Sequence, residues 1–306
     1  MKSKILKEIL FWGISLACLY FSFKQINLNE VFQLIIHSNY QYILLAILFT
    51  FGQFFVRAYR WSMMFPESKQ SYKSFYSATH IGYFFNNVLP FRAGELIKAK
   101  LVIDGKNNNA QLSYSLGTVL SEKILDTLIL SVSILAFVLI GFMGFLNTKL
   151  IVLNIFLVLL ALLLIFSQLT FLYKIKNRFP KFDEFMEGIS IISHYKFTLV
   201  FLSIIFWLNV PLYTYYAMLS LGVAMNFEQT IVLTILSTIG IAIPLAPGAI
   251  GTFHLAVIYC LNTIYNYDLS TAQSAAIMLH GINFLYIVLV GFWYFYQEKK
   301  EITYAH

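Results

Sequence analysis

Residues 84–100 read FFNNVLPFRAGELIKAK, and the folding of this stretch decides the folding of the chain. An apolar run stops at Pro90, and a helix restarts beyond it carrying Arg92 and Glu95. Proline removes a backbone donor and Gly94 adds conformational freedom, so no unbroken spanning helix is expected here. In lipid, broken backbone is tolerated only where protein or a water-filled cavity satisfies the freed groups. Ionisable residues at that depth are functional candidates by default. A second stretch of the same kind, IPLAPGAIGTFH at 243–254, is broken by Pro244, Pro247, Gly248 and Gly251. Two interrupted segments in corresponding halves of a chain point to a transport site.

Of the 306 residues, 59% are hydrophobic and only 11% charged, against roughly 25% charged in a soluble domain. The apolar runs are long and continuous, which predicts an all-α integral membrane protein rather than a barrel. No polar stretch is long enough for a soluble catalytic domain. The net charge of +7 comes from Lys and Arg in short loops, which sets topology rather than recognising nucleic acid. Cys18 and Cys260 both fall in apolar runs and form neither a disulfide framework nor a metal set. Lys2, Lys4 and Lys7 precede an apolar run with no small-residue cleavage site after it, so a retained first helix is expected.

Hydropathy gives a polytopic bundle of about six spans: Ile5 to Phe23, Tyr42 to Phe65, Leu112 to Phe145, Leu150 to Tyr173, Phe197 to Leu221 and Ala272 to Tyr296. Between them lie two broken hairpins, Ser74 to Leu101 and Glu228 to Ile264, and polar loops at Asn27 to Asn39 and Lys174 to Lys196. Arg57, Tyr59, Arg60 and Trp61, closing the second span, have the composition of an interfacial anchor. Lysines and arginines stay on one side if both hairpins dip in and return, which places both termini in the cytoplasm. The chain is then a single transmembrane domain of two halves, 1–146 and 147–306. Each half makes an odd number of crossings, so the two form an inverted repeat with re-entrant hairpins entering from opposite faces. The rival is that hairpin limbs cross fully, although a limb of roughly 15 residues falls short of the ~20 a span needs.

Several residues in this frame can carry chemistry. The half-helices after Pro90 and after Gly248 expose unpaired N–H groups that suit an anion, and Arg92 can grip a phosphate bidentately. Otherwise Arg92 snorkels or pairs with Glu95. Glu122 and Asp126, four apart, share a helix face; Lys123 lies beside both, and Ser115 and Thr118 continue the stripe. Such a stripe faces the bundle interior, lining a site or forming a neutralised cluster against Arg92 or Lys98. His254 stands one turn into the second half-helix, and His280 and Asn283 share a face of the last span. These histidines are hydrogen-bonded packing residues or proton carriers. His80 does not complete a metal set with them, no ATP-binding or hydrolase motif is present, and neither metal nor cofactor is expected.

The segment Leu89-Pro90-Phe91-Arg92-Ala93-Gly94-Glu95, followed by Gly117-Thr118-Val119-Leu120-Ser121-Glu122-Lys123-Ile124-Leu125-Asp126, resembles the paired signature of the lysylphosphatidylglycerol synthase transmembrane region. Pro244 to His254 resembles that family's second-half signature. The resemblance implies an inner-membrane, flippase-like protein that moves an aminoacylated phospholipid or a related lipid-linked head group between leaflets. It puts Arg92, Glu95, Glu122, Lys123 and Asp126 at the first-half motif positions, and Gly248, Gly251 and His254 at those of the second. Three departures stand out. Lys123 replaces the usual arginine, His254 the glutamate of many members, and Ala249 a second glycine. No synthase domain accompanies the motifs, so a separate lipid-modifying synthase is an expected partner alongside membrane lipids.

The expected function is translocation of a polar lipid head group, phospholipid or lipid-linked phosphate, with no catalytic step. Arg92 and the half-helix ends would hold the phosphate while Glu122, Asp126 and His254 meet the rest of the head. Alternatives are an ion-coupled small-solute transporter, a membrane-embedded glycosyltransferase or accessory subunit acting on polyprenyl-phosphate sugars, and a structural scaffold.

Overall fold

The computed structural model describes residues 2–66, 68, 70–89, 92–103, 108–140, 182–242 and 247–304. These residues form helices and no strand. In chain order they are α1 (Lys2–Phe23), α2 (Leu28–Ile36), α3 (Tyr40–Ser62), α4 (Tyr72–Val88), α5 (Gly94–Leu101), α6 (Asn108–Ile140), α7 (Phe182–His194), α8 (Lys196–Ser220), α9 (Phe227–Ala242), α10 (Thr252–Ile258, continued by a π turn over Tyr259–Ile264) and α11 (Leu269–Tyr304).

Four stretches among the described residues are long and apolar enough to cross a membrane: Tyr40–Ser62, Lys196–Ser220, Pro247–Ile264 and Leu269–Glu298. Shorter apolar helices cover Trp12–Phe23 and Phe227–Ala242. The chain is a helical membrane protein. The span expected from Leu150 to Tyr173 lies outside the described residues, as do Lys69, Lys106, the loop Asn147 to Lys149 and the basic run Lys174 to Lys181. Pro247–Ile264, at 18 residues, is long enough to cross, whereas the sequence reading treats it as a re-entrant limb.

Two expected loops are helices. Asn27 to Asn39 contains α2, capped by the Asn27 side chain, which accepts from the Glu30 amide at 3.3 Å. Val31 is its buried residue. The second part of the Lys174 to Lys196 loop is α7, which buries Phe185, Gly188 and Ile191. In both segments a short apolar face at 3.6-residue spacing overrides the polar composition.

The helix lengths repeat. A short amphipathic helix (α2, 9 residues; α7, 13) is followed by a long apolar one (α3, 23; α8, 25). Then come a helix that stops at a break (α4, 17; α9, 16), a short helix beyond it (α5, 8; α10, 7) and a long closing helix (α6, 33; α11, 36). The closing helix of each half packs on the amphipathic helix of the other, α6 on α7 and α11 on α2.

The fold divides into two compact units, each drawing on both halves. The first comprises Met1–Phe54, Thr79–Ile97 and Leu208–His306, the second Phe55–Ala78 and Lys98–Trp207. In the first unit α10 packs against α1, α9 and α11. Gly251, at φ 100°, backs onto the Ser15 carbonyl, where a Cβ would collide. In the second unit α6 meets α7 at Gly117 and Gly188, whose Cα atoms lie against each other's backbone. The Ser121 hydroxyl donates to the Gly188 carbonyl at 3.0 Å across this contact. Trp61, Met64, Phe75, Val119, Ile191 and Leu199 form the apolar core beside it.

Candidate functional site

In the second unit the stripe on α6 is buried and charged. Asp126 receives Arg60 Nη1 at 2.8 Å and Arg57 Nη2 at 3.2 Å. Glu122 is contacted by Lys98 through one oxygen, and Arg60 Nη2 stands 3.7 Å from the other. Arg60 Nη1 also donates to Ser203 Oγ at 2.7 Å, whose hydroxyl donates to the Leu199 carbonyl. Aromatic faces cover the cations: Lys98 Nζ lies 3.9 Å from the Trp61 ring centre, and the Arg57 guanidinium 4.2 Å from that of Phe206. Trp61 Nε1 donates to Thr118 Oγ1 at 3.1 Å, and Ser115 Oγ to the Ala99 carbonyl at 2.9 Å. Ser115, Thr118, Glu122 and Asp126 therefore lie on one working face of α6. Lys123 is half-buried, within Coulombic reach of Lys98 and Asp126.

This arrangement corrects the reading of Arg57, Arg60 and Trp61 as an interfacial anchor. Arg60 and Trp61 are fully buried: Glu122 and Asp126 give the Arg60 charge partners inside the unit, and Trp61 packs in the apolar core with its Nε1 bonded to Thr118. Sequence reasoning missed Arg57 and Arg60 as site residues. The available signal was their spacing of three on α3, which puts both guanidiniums on one helix face.

In the first unit the broken segments adjoin. Pro90 and Pro244 lie outside the described residues. Arg92, at φ 53°, reaches the last turn of α9: its Nη2 donates to the carbonyls of Ile241 at 3.1 Å and Ala242 at 3.3 Å. Its Nη1 is 4.0 Å from Glu95 in the first turn of α5. The Arg92 charge thus stabilises the negative end of α9 and stands beside Glu95, the pairing that the sequence reading holds open as the alternative to a phosphate. Gly94 begins α5, and Asn87, at the end of α4, has its Oδ1 2.9 Å from where a Gly248 Cβ would stand.

Beyond the second break, Pro247 to Ala249 form a single 3-10 turn with Gly248 at φ 64°, and Thr252 Oγ1 donates to the Gly240 carbonyl at 2.8 Å. His280 Nε2 lies 2.8 Å from the Gly248 carbonyl. A carbonyl only accepts, so this nitrogen carries the proton. The His254 and His280 ring centres are 4.7 Å apart, with Phe23 and Phe253 packed on His254 and Phe284 stacked on His280. His254 Nδ1 and Asn283 Oδ1 are buried without a hydrogen-bond partner. His80 is bonded to the Tyr286 hydroxyl at 3.2 Å. Of the predicted residues, Arg92, Glu95, His254, His280 and Asn283 thus belong to the first unit, and Glu122, Lys123 and Asp126 to the second.

A cleft of about 680 Å³ in the second unit is lined by Phe65, Tyr114, Glu184, Glu187, His194 and Tyr195, among others, and holds none of the predicted site residues. Among the described residues no three His, Cys, Asp or Glu side chains are grouped to hold a metal ion.

A family described as the lysylphosphatidylglycerol synthase TM region matches residues 9–291. The chain is 26% identical over 227 residues to the UPF0104 membrane protein MJ1078 of Methanocaldococcus jannaschii, covering 72% of this chain and 96% of that relative.

Proposed function

Since the chain belongs to the lysylphosphatidylglycerol synthase TM region family, we propose that it carries a polar lipid head group between the leaflets of the membrane. The observation that carries this reading is the buried set of Arg57, Arg60, Lys98, Glu122 and Asp126 in a chain otherwise built of apolar helices. Charges at that depth are expensive, and a polar cargo crossing an apolar bundle needs them. The orphaned His254 Nδ1 and Asn283 Oδ1 beside the second break add polar capacity in the first unit.

On this reading the head group moves through a hydrated groove while the acyl chains stay in the bilayer. The protein works in the inner membrane with both termini cytoplasmic. It performs no catalytic step, and takes its cargo from membrane lipids or from a separate lipid-modifying synthase.

Reconstitution into liposomes carrying labelled phospholipids and polyprenyl phosphates tests the proposal. Wild type accelerates transfer of at least one lipid over empty liposomes, and Glu122→Gln or Arg60→Gln at matched folded yield abolishes the gain. No acceleration for any lipid sinks it.

A further inference from the structure

Two imidazoles stand side by side at the second break. The ring centres of His254 and His280 are 4.7 Å apart, and His254 is 8% exposed. His280 Nε2 gives its proton to the Gly248 carbonyl, so in the neutral ring Nδ1 is bare. His254 Nδ1 is buried without a hydrogen-bond partner. The pair can therefore accept a proton without releasing Gly248.

The groups that face the pair are apolar, uncharged or engaged elsewhere. From α1, Phe23 packs on His254, and Ser15 and Cys18 lie against Gly251. Lys24, next in the chain after Phe23, lies over the Phe21 ring. The α9 helix meets α10 through Gly240, at the opposite end from its carboxylate, Glu228. From α11 come Asn283 and the Phe284 ring, while the Tyr286 hydroxyl is bonded to His80. Tyr259, Cys260 and Tyr265 belong to the π turn, at the end of α10 away from the break. At the first break Arg92 and Glu95 stand beside each other. The titratable group within Coulombic reach of His254 is His280 itself. Pro90, Phe91 and Ile243 to Ala246, which lie between the described stretches of this unit, have no ionisable side chain.

An imidazolium here thus has no counter-charge within the first unit, and a buried charge needs one. Two imidazoliums side by side would also repel, so the pair takes at most one proton. A phosphate-bearing head group brings the missing negative charge, and its oxygens accept an imidazolium N–H in a charge-assisted bond.

We infer that the His254–His280 pair takes up one proton together with the anionic phosphate of the head group, and gives it up when the head group leaves. This deepens the translocation reading and rests on it. The proton adds to a bare ring nitrogen of the pair, and the new N–H donates to a phosphate oxygen while the Gly248 bond stays. One phosphate charge and one proton then cross as a neutral unit, so a pH difference across the membrane can drive the transfer.

The test is the affinity of the purified full chain for phosphatidylglycerol in neutral detergent, measured across the range in which histidine titrates, about pH 8 to about pH 6. This lipid is a phosphodiester whose own charge is constant over that range. The liganded protein holds the extra proton, so falling pH favours binding. Wild-type affinity is expected to rise by up to about tenfold per pH unit, the slope of one coupled proton. The double variant His254→Gln/His280→Gln has no ring to charge and keeps an N–H donor for Gly248, so its affinity is expected to be flat. A flat wild-type profile, no binding at any pH, or an unchanged slope in the double variant overturns the inference.

Should the double variant fail to fold, nitrogen NMR of the wild-type histidines decides. Phosphatidylglycerol added at constant pH converts one imidazole to its doubly protonated form, and spectra in which no ring converts overturn the inference. Neither readout involves transport. Binding linked to pH without lipid transfer in liposomes therefore defeats the translocase reading alone, and lipid transfer with flat affinity defeats only the present inference.

Discussion

Arg92 on the first broken segment donates to the main-chain oxygen of Ile241 on the second, at 3.1 Å, with Ala242 sharing the same nitrogen. The last carbonyls of a helix have no intrahelical donor, and α9 obtains one from a residue about 150 positions earlier in the chain. One guanidinium therefore ties the two interruptions together.

Arg92→Ala is expected to free those carbonyls and fray the end of α9. The bonds are exposed, so the loss of stability is no more than about 1 kcal/mol. Hydrogen exchange over residues 236–242 checks it, with faster exchange there than in α8. Arg92→Lys keeps the charge but loses the fork, and recovers part of the protection. Unchanged exchange in Arg92→Ala would remove the capping role.

The Lys98–Glu122 pair is nearly fully buried on both sides. Glu122→Leu leaves Lys98 and Arg60 facing each other with one carboxylate fewer, and should destabilise by about 3–5 kcal/mol. Combining it with Lys98→Met should recover at least ~1 kcal/mol of that loss, the signature of direct coupling. Chemical denaturation of the four proteins of the cycle measures it. Additive losses would mean that the pair is not coupled.

How far the residues disclose these arrangements depends on the kind of signal. The breaks around Arg92 and Gly248 are readable because proline and glycine act locally on the backbone. The polar face of α6 is readable because Ser115, Thr118, Glu122 and Asp126 follow helical spacing. The partners of that face are not. Arg57 and Arg60 lie 66 or more positions away from Asp126 in sequence, and basic residues closing an apolar helix fit the positive-inside pattern equally well. The α2 helix shows the opposite error. Its Asn27 cap and its apolar residues at Leu28, Val31, Phe32 and Ile35 spell an amphipathic helix, yet the overall polarity of the segment suggests a loop. The exchange of closing helices between halves leaves only a faint trace, two glycines at 117 and 188 whose significance appears when α6 and α7 touch.

That contact gives a controlled prediction. A Cβ at Gly117 would run into the Phe185 carbonyl, while one at Gly281 meets nothing within 4 Å. Gly117→Ala should destabilise by about 1–3 kcal/mol by forcing α6 and α7 apart. Gly281→Ala should be neutral or stabilise by up to ~1 kcal/mol through helix propensity. Unfolding temperatures of the two variants, compared at the same detergent concentration, decide it. Equal effects would contradict the close approach.

The bond from His280 to the Gly248 carbonyl separates a donor role from a packing role. Gly248 is in the left-handed region and lies in a segment that no regular helix ladder supports, so its carbonyl depends on a side chain for a partner. His280→Phe preserves the stack on Phe284 and removes the donor, which leaves a part-buried acceptor unsatisfied at about 1 kcal/mol. His280→Gln loses the ring but keeps an N–H donor within reach, and should retain most of the stability that His280→Phe loses. The order Gln above Phe in unfolding temperature is the expected result. The reverse order would make the ring, not its proton, the feature that holds the second break in place. In that case the unpaired His254 Nδ1 would have to be understood as packing too.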